Sequence, residues 1–346
     1  MHEWLGRFAR GTGLAALALV VLGLGSWGAL LITFAGPSDD IVRGGLVLGF
    51  CLASVMTLMA LFLRRLRWRA VSAFGALCAV LVVFWIGLQP TNDRDWQPQV
   101  AITPYATISG DQVTVHNIRN FDYRSETDYT VAYYDRSFDL RDFRSVDIVT
   151  SYWTGRPIAH VFVSFGFAGN EYLAISVEVR YRKGERYSTL KGLFRQYELI
   201  YLVADERDVI RLRTNYRSNP PEDVYVYRVK GSIEGGRRFF LEYMSRLNAL
   251  RTQPEFYNTL TTNCTTNIWV NDGVNPDRIP LSWKILVSGY VPEYLYDEGR
   301  LEDMGLSFAE LQRRAHINGR AQAADAATDF SRRIRAWGEV RAEAVP

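Results

Sequence analysis

The chain has 346 residues and a formal net charge of +3. Its Lys and Arg are spread along the sequence, which excludes the basic stripe of a nucleic-acid binder. Its three cysteines and four histidines are too scattered for a disulfide framework or a metal site, so neither metal nor cofactor is expected.

Apolar residues concentrate in 11–90. Gly11–Ser38, Gly44–Leu63 and Ala70–Pro90 are successive runs without charge. Each is about 20 residues or longer, enough to cross a ~30 Å hydrocarbon core as a helix. The first is too long for a signal peptide and lacks a good cleavage pattern. Arg7 and Arg10 precede it. The loop "RRLRWR" (64–69) holds four Arg, whereas "GPSDDIVR" has two Asp and one Arg. Arginine-rich sides face the cytoplasm. The third span then delivers everything after Pro90 outside. This predicts a multi-pass protein of the bacterial inner (cytoplasmic) membrane with its main domain in the periplasm.

"QPTNDRDWQPQVAITP" (89–104) reads as a polar, Pro-rich linker. The expected organisation is a three-helix anchor over 1–90, a linker over 91–104, an α+β domain over 105–334 and a tail over 335–346. Within the domain, "QVTVHNI" (112–118) and "DVYVYRV" (223–229) alternate as strands do. "GRRFFLEYMSRLNAL" (236–250) puts Phe239, Phe240, Tyr243, Met244, Leu247 and Leu250 on one helical face. The basic tail, "DFSRRIRAWGEVRAEAVP", reads as a surface helix.

"HVFVSFGFAGNEYLAISVEVR" (160–180) is a hairpin signal. Val161, Val163, Phe165 and Phe167 should share the core face with Leu173, Ile175, Val177 and Val179, because side chains alternate with period two. His160 then shares the other face with Ser176 and Glu178. A three-residue loop at 168–170 sets Glu178 across from His160.

Cys264 lies in "YNTLTTNCTTNIW" (257–269). An unpaired cysteine in an oxidising compartment calls for an explanation. "CTTNIWVN" can form a short helix capped by Thr262 or Asn263, with Cys264 in the first turn, where the dipole favours a thiolate. A free thiol of pKa ~8.5 is only a few per cent ionised at neutral pH; a helix N-terminus and a nearby imidazole raise that fraction. His160 can supply the imidazole. Glu178 is the first candidate for the group that orients its ring, and Ser176 the second. The bland alternative is a small buried cysteine and a satisfied strand histidine. Ser164 lacks the Gly-x-Ser-x-Gly elbow of a serine nucleophile. His116, in "HNIRNFDYR", can line a pocket or serve the fold, and His316 reads as a helix-end residue.

"HNIRNFDYR", "IAHVFVSFGF", "LAISVEVR", "GLFRQYELIYLVADERDVIRLRTNYR", "PEFYNTLTTNCTTNIW" and "DFSRRIR" together resemble the Lnb N-terminal periplasmic domain family, over roughly residues 93–334. That family is named for a bacterial lipoprotein intramolecular transacylase, which has more membrane spans than the three here. The resemblance implies a circularly permuted papain-like (NlpC-like) thiol fold with an antiparallel sheet and packed helices. Histidine precedes cysteine in that fold, as His160 precedes Cys264. "NCTT" is also similar to the start of the nucleophile helix in lecithin:retinol acyltransferase-like enzymes, which move acyl chains through a thioester. In "GLFRQYELIYLVADERDVIRLRTNYR" (192–217), the plain reading is a solvated helix followed by a strand. The functional one puts Arg195 and Tyr197 near a pocket, where Arg can meet a phosphate bidentately. "LSWKILVSGYVPEYLYDEG" (281–299) suits core, bilayer or acyl chain.

The leading expectation is therefore a membrane-anchored periplasmic cysteine acyltransferase or lipid-directed hydrolase. Its partners are a membrane lipid or lipoprotein at the inner membrane, and no nucleic acid. Backbone N–H groups at the Cys264 helix, with Asn263, would hold the oxyanion. The alternatives are a peptidoglycan-directed NlpC-like cysteine peptidase or amidase, and a non-catalytic envelope binding domain.

Overall fold

The computed structural model describes residues 2–336, with side chains from Gly11 onward. Residues 337–346, most of the expected tail, lie outside the described residues. The chain divides into two units: Met1–Pro90 with Ser188–Gln196, and Thr91–Tyr187 with Tyr197–Pro346.

In the first unit the charge-free runs form α1 (His2–Ala35), α2 (Asp40–Ala60) and α3 (Arg67–Gly87). All three are long and apolar enough to cross a membrane. Asp39 starts α2 by accepting the N–H groups of Ile41 and Val42, each at 2.9 Å. A Cβ at Gly28 would lie 2.4 Å from the Phe50 ring, so only glycine lets α1 and α2 approach this closely. The segment between the eighth and ninth strands of the sheet belongs to this unit and contains α4 (Thr189–Leu193). There Phe194 packs on Phe34 at 5.6 Å.

The second unit is α+β. Its strands are β1 (Tyr105–Ser109), β2 (Gln112–Arg119), β3 (Asp122–Tyr123), β4 (Tyr129–Thr130), β5 (Tyr133–Asp139), β6 (Phe143–Tyr152), β7 (Ala159–Phe167), β8 (Glu171–Arg180), β9 (Glu198–Ala204) and β10 (Asp223–Arg228). Its helices are α5 (Glu206–Arg211), α6 (Ile233–Thr252), α7 (Cys264–Asn271), α8 (Trp283–Leu286), α9 (Val291–Asp297), α10 (Phe308–Ala315), α11 (Asn318–Ala323) and α12 (Phe330–Ile334). The main sheet runs β1-β2-β9-β8-β7-β6-β10, with β5 also on β2. It is mixed rather than purely antiparallel, because β2 and β9 meet in parallel at Arg119 and Ala204.

The β7–β8 hairpin turns through 168–170 in the expected register, Phe167 opposite Glu171 and Val163 opposite Ile175. The alternation holds. Val161, Val163, Phe165, Phe167, Leu173, Ile175, Val177 and Val179 enter one core, together with the six apolar residues named on α6. The opposite face is buried too: Phe162 and Ala174 pack with residues of α5, α11 and α12.

Three sequence readings need correction. The strand expected within 192–217 is "ELIYLVA" (198–204), fully buried, but the charged stretch after it is a mostly buried helix in which Arg211 reaches Asp122, not a solvated face. The segment 91–104 is tied down: the Arg180 guanidinium donates to the carbonyls of Val100 and Ala101 and to Asn92, and stacks over Trp96 at 4.4 Å. "DFSRRIR" is docked, with Phe330 and Ile334 fully buried. Arg335 is bonded to Asp147 at 2.8 Å and to both Glu206 oxygens at 2.5 and 2.7 Å.

Candidate active site

Cys264 opens α7, and Asn263 is the cap. Its Oδ1 accepts the N–H groups of Thr265 at 3.1 Å and Thr266 at 2.9 Å, while the Thr266 hydroxyl accepts the Asn263 N–H. This capping box comes from the "NCTT" sequence itself. The helix is pinned on two sides. The Tyr201 hydroxyl on β9 donates to Asn267 at 3.0 Å and accepts from Asn271 at 3.1 Å. The Thr265 hydroxyl donates to the Ile285 carbonyl at 2.6 Å. The cap uses the N–H groups of Thr265 and Thr266, and the Asn263 carbonyl takes that of Asn267. That of Cys264 is the first-turn donor left over.

His160 stands near the start of β7. Pairing between β7 and β8 runs only to Val163 and Ile175, although β7 stays paired to β6 through Ala159 and β8 to β9 through Arg180. The two strands therefore lose each other at the level of His160, and α7 packs against both. The His160 Nε2 lies 2.6 Å from the Ser176 hydroxyl and 3.1 Å from Glu178 Oε1. Ser176 spends its own proton on Glu178 Oε1 at 2.8 Å. Its oxygen therefore accepts from the ring, which places the ring proton on Nε2. The Cys264 side chain also acts on the ring and favours its charged form. Both candidates for the orienting group thus touch the ring, the serine as a bridge and the glutamate as the charge behind it.

Glu178 Oε1 takes a third bond, from Arg213 Nη2 at 3.0 Å. Arg213 is buried, stacks over Phe162 at 5.2 Å and stands 3.8 Å from Glu222. Glu222 is bonded to Ser151 and Arg217. Burial is the largest single influence and disfavours charge on the His160 ring; the Glu178 carboxylate acts against it. With the Cys264 and Glu178 hydrogen bonds, it raises the ring from its ordinary 6.5 to about 9. Burial likewise works against charge on Glu178, yet His160 and Arg213 hold it well below the usual carboxylate range. Tyr257 borders the same cluster: burial, then the nearby Cys264, push its hydroxyl far up, so it stays neutral.

The remaining sequence candidates fall elsewhere. His116 sits on β2, separated from β7 by β9 and β8. It is held by Asp135 at 2.7 Å and Thr107 at 3.2 Å, and stacks on Tyr105. Arg195 belongs to the membrane unit, bonded to the Trp85 carbonyl at 3.0 Å and lying over that ring. Tyr197 is fully buried and donates to the Arg186 carbonyl. The Asn263 side chain is committed, its Nδ2 donating to Thr259 at 2.8 Å, so its part is to shape the helix start. Ser164 is buried and donates to Glu206. Arg213, Glu222 and Tyr257 were missed. Nothing in an arginine among other charges marks it as buried, but Tyr257 stood only seven residues before the cysteine.

Residues 129–289 match the family model of the Lnb N-terminal periplasmic domain. This is the family that the sequence resembles. The match is shorter than the resemblance read from the sequence, but it spans His160, Ser176, Glu178, Arg213, Glu222 and Cys264. No curated protein and no solved structure matches the chain.

Proposed function

We propose that this is a membrane-anchored periplasmic thiol enzyme that moves or releases acyl groups through a thioester on Cys264, on a permuted papain-like fold. The observation that carries the chemistry is the imidazole held between the Cys264 side chain and the Ser176–Glu178 pair, beside a helix N-terminus. The thiol proton rests on His160, in a thiolate–imidazolium pair that Glu178 favours, and the sulfur attacks the ester carbonyl carbon. The Cys264 N–H, at the positive end of α7, stabilises the oxyanion. As the C–O bond breaks, the imidazolium returns its proton to the leaving alkoxide. The acceptor then gives a proton to His160 and attacks the thioester; the C–S bond breaks and the thiol is restored. Water as acceptor makes the enzyme a hydrolase, an amine a transacylase.

The surroundings of the site favour lipid. The β6–β7 loop and the segment 281–290 are bonded together, Ala159 N–H to Ser288 and Gly289 N–H to the Pro157 carbonyl. A Cβ at Gly289 would lie 1.8 Å from the Arg156 carbonyl oxygen, so this contact requires glycine. These two segments and the loop before Cys264 expose Ile158, Leu260, Leu281, Trp283 and Leu286, each at least half exposed. So many large apolar side chains around one site are unusual on a surface that meets only water.

The test is the full chain in vesicles of labelled phospholipid, with Cys264→Ala as control. Acyl label on Cys264 and release of lyso-lipid are expected. Cleavage of murein peptides with no acyl transfer would hand the site to the peptidase reading.

A further inference from the structure

A cavity of about 260 Å³ runs alongside α7 in the sheet-bearing unit. Thr265, the residue after the nucleophile, lines it, and its apolar walls include Ile148, Phe239, Ile268, Ile285, Val291 and Leu295. Ile148, Phe239 and Val291 belong to the main core cluster, against which Cys264 and Ile268 also pack. Ile268 is one helical turn beyond Cys264 and shares its face of α7. A chain attached to the sulfur therefore has an apolar course along the helix, about 10 Å from Thr265 to Asp272 at 1.5 Å per residue. Charged side chains also line the cavity, Arg144, Arg228, Lys230, Arg300 and Glu302 among them, and Asp272 stands at the C-terminal end of α7.

We propose that this cavity is the receptor for a single acyl chain, the one carried as a thioester on Cys264. The inference rests on the thioester reading and adds the chain's location: inside the sheet-bearing unit rather than in the surrounding bilayer. Three features select this occupant. The cavity lies along the nucleophile's own helix, most of its wall is hydrocarbon, and its length suits a chain of many methylenes rather than an acetyl group. Asp272, the C-cap of α7, ends the apolar course along the helix, so the cavity also limits chain length.

The experiment uses the full chain in nanodiscs with a fatty acid bearing a terminal diazirine. Photolabelling is run on Cys264→Ala, which binds the probe but cannot form the thioester. Label on peptides spanning 264–295 is expected, falling at least tenfold in Cys264→Ala with Leu295→Trp. Label confined to α1–α3, or unchanged by Leu295→Trp, overturns the proposal. The unsubstituted-site protein supplies a second arm through acylation of Cys264 by acetyl and dodecanoyl esters. Leu295→Trp should cut the dodecanoyl-to-acetyl ratio of kcat/KM at least tenfold, and Ile268→Phe serves if that variant does not fold. Equal loss for both esters overturns the proposal. If no ester acylates Cys264, the thioester reading fails, while the photolabelling still decides what the cavity holds.

Discussion

Replacing Glu178 by Gln should release the proton that the fold holds on His160. The ring titrates at about 9 instead of its ordinary 6.5, and the carboxylate is the main cause of the rise. That rise corresponds to about 3 kcal/mol of preference for the charged ring. The sign follows from linkage. A raised imidazole stabilises the fold fully below pH 6.5 and loses that contribution as pH climbs through about 9. Glu178→Gln should therefore cost about 3 kcal/mol near pH 6, and the gap to the parent protein should close toward pH 10. Without the carboxylate, burial and Arg213 both act against a charged ring, so His160 should titrate below 6.5. NMR of histidine-labelled protein reads this directly, with four imidazoles to resolve and His160→Gln to assign the relevant one. A parent His160 titrating at or below 6.5, or one that Glu178→Gln leaves unmoved, would refute the reasoning.

Three other outcomes are expected. Val177→Ala should lose about 1–3 kcal/mol in urea unfolding with acyl transfer retained, because Val177 faces only the core; Ser176→Ala should keep its stability and lose turnover, with its pH profile displaced. Asn263→Ala removes the side-chain half of the capping box, leaving the backbone N–H on the Thr266 hydroxyl, and should cost about 1–2 kcal/mol, with slower alkylation of Cys264 by iodoacetamide. Arg335→Met leaves Asp147 and Glu206 buried with their shared cation gone; about 3–5 kcal/mol should disappear from the denaturation free energy, and an unchanged midpoint would mean the tail arginine is not bonded there in solution.

Much of the site's geometry could be read because it is local. A three-residue turn sets a hairpin register, and that register alone brings residues 160, 176 and 178 to one side. Asn-Cys-Thr-Thr carries its own cap, so the placement of Cys264 at a helix start needed no tertiary information. What could not be read depends on distant partners. Arg213 is buried only because Glu178 and Glu222, from two other strands or their approaches, receive it. Arg119 is buried for the same reason, by Asp208 at 2.6 Å. In a sequence each looks like solvated charge. β9 was legible as a strand, but only its place between β2 and β8 makes it a core strand. The parting of β7 from β8 leaves no mark in residue type, since both strands keep their alternation through it.

That parting matters for the chemistry. Paired strands would hold His160 on the face away from the core that α7 packs on. Where the pairing stops, the ring can reach Cys264 on one side and Glu178 on the other. One carboxylate oxygen then takes the bridging serine, the ring and Arg213 together. Arg213 offsets part of the carboxylate's pull on the ring. Without that offset, His160 would hold its proton more tightly and serve poorly as a base for the acceptor. The sulfur supplies the other adjustment. Its hydrogen bond is one of the influences that keep the ring charged, and acylation removes it. The ring thus holds its proton most tightly while the thiol is free and gives it up more readily once the thioester has formed, which leaves more of it neutral. The first half of the reaction needs a proton to give to the leaving alkoxide; the second needs a base. The same four side chains meet both demands without a change in their contacts to one another.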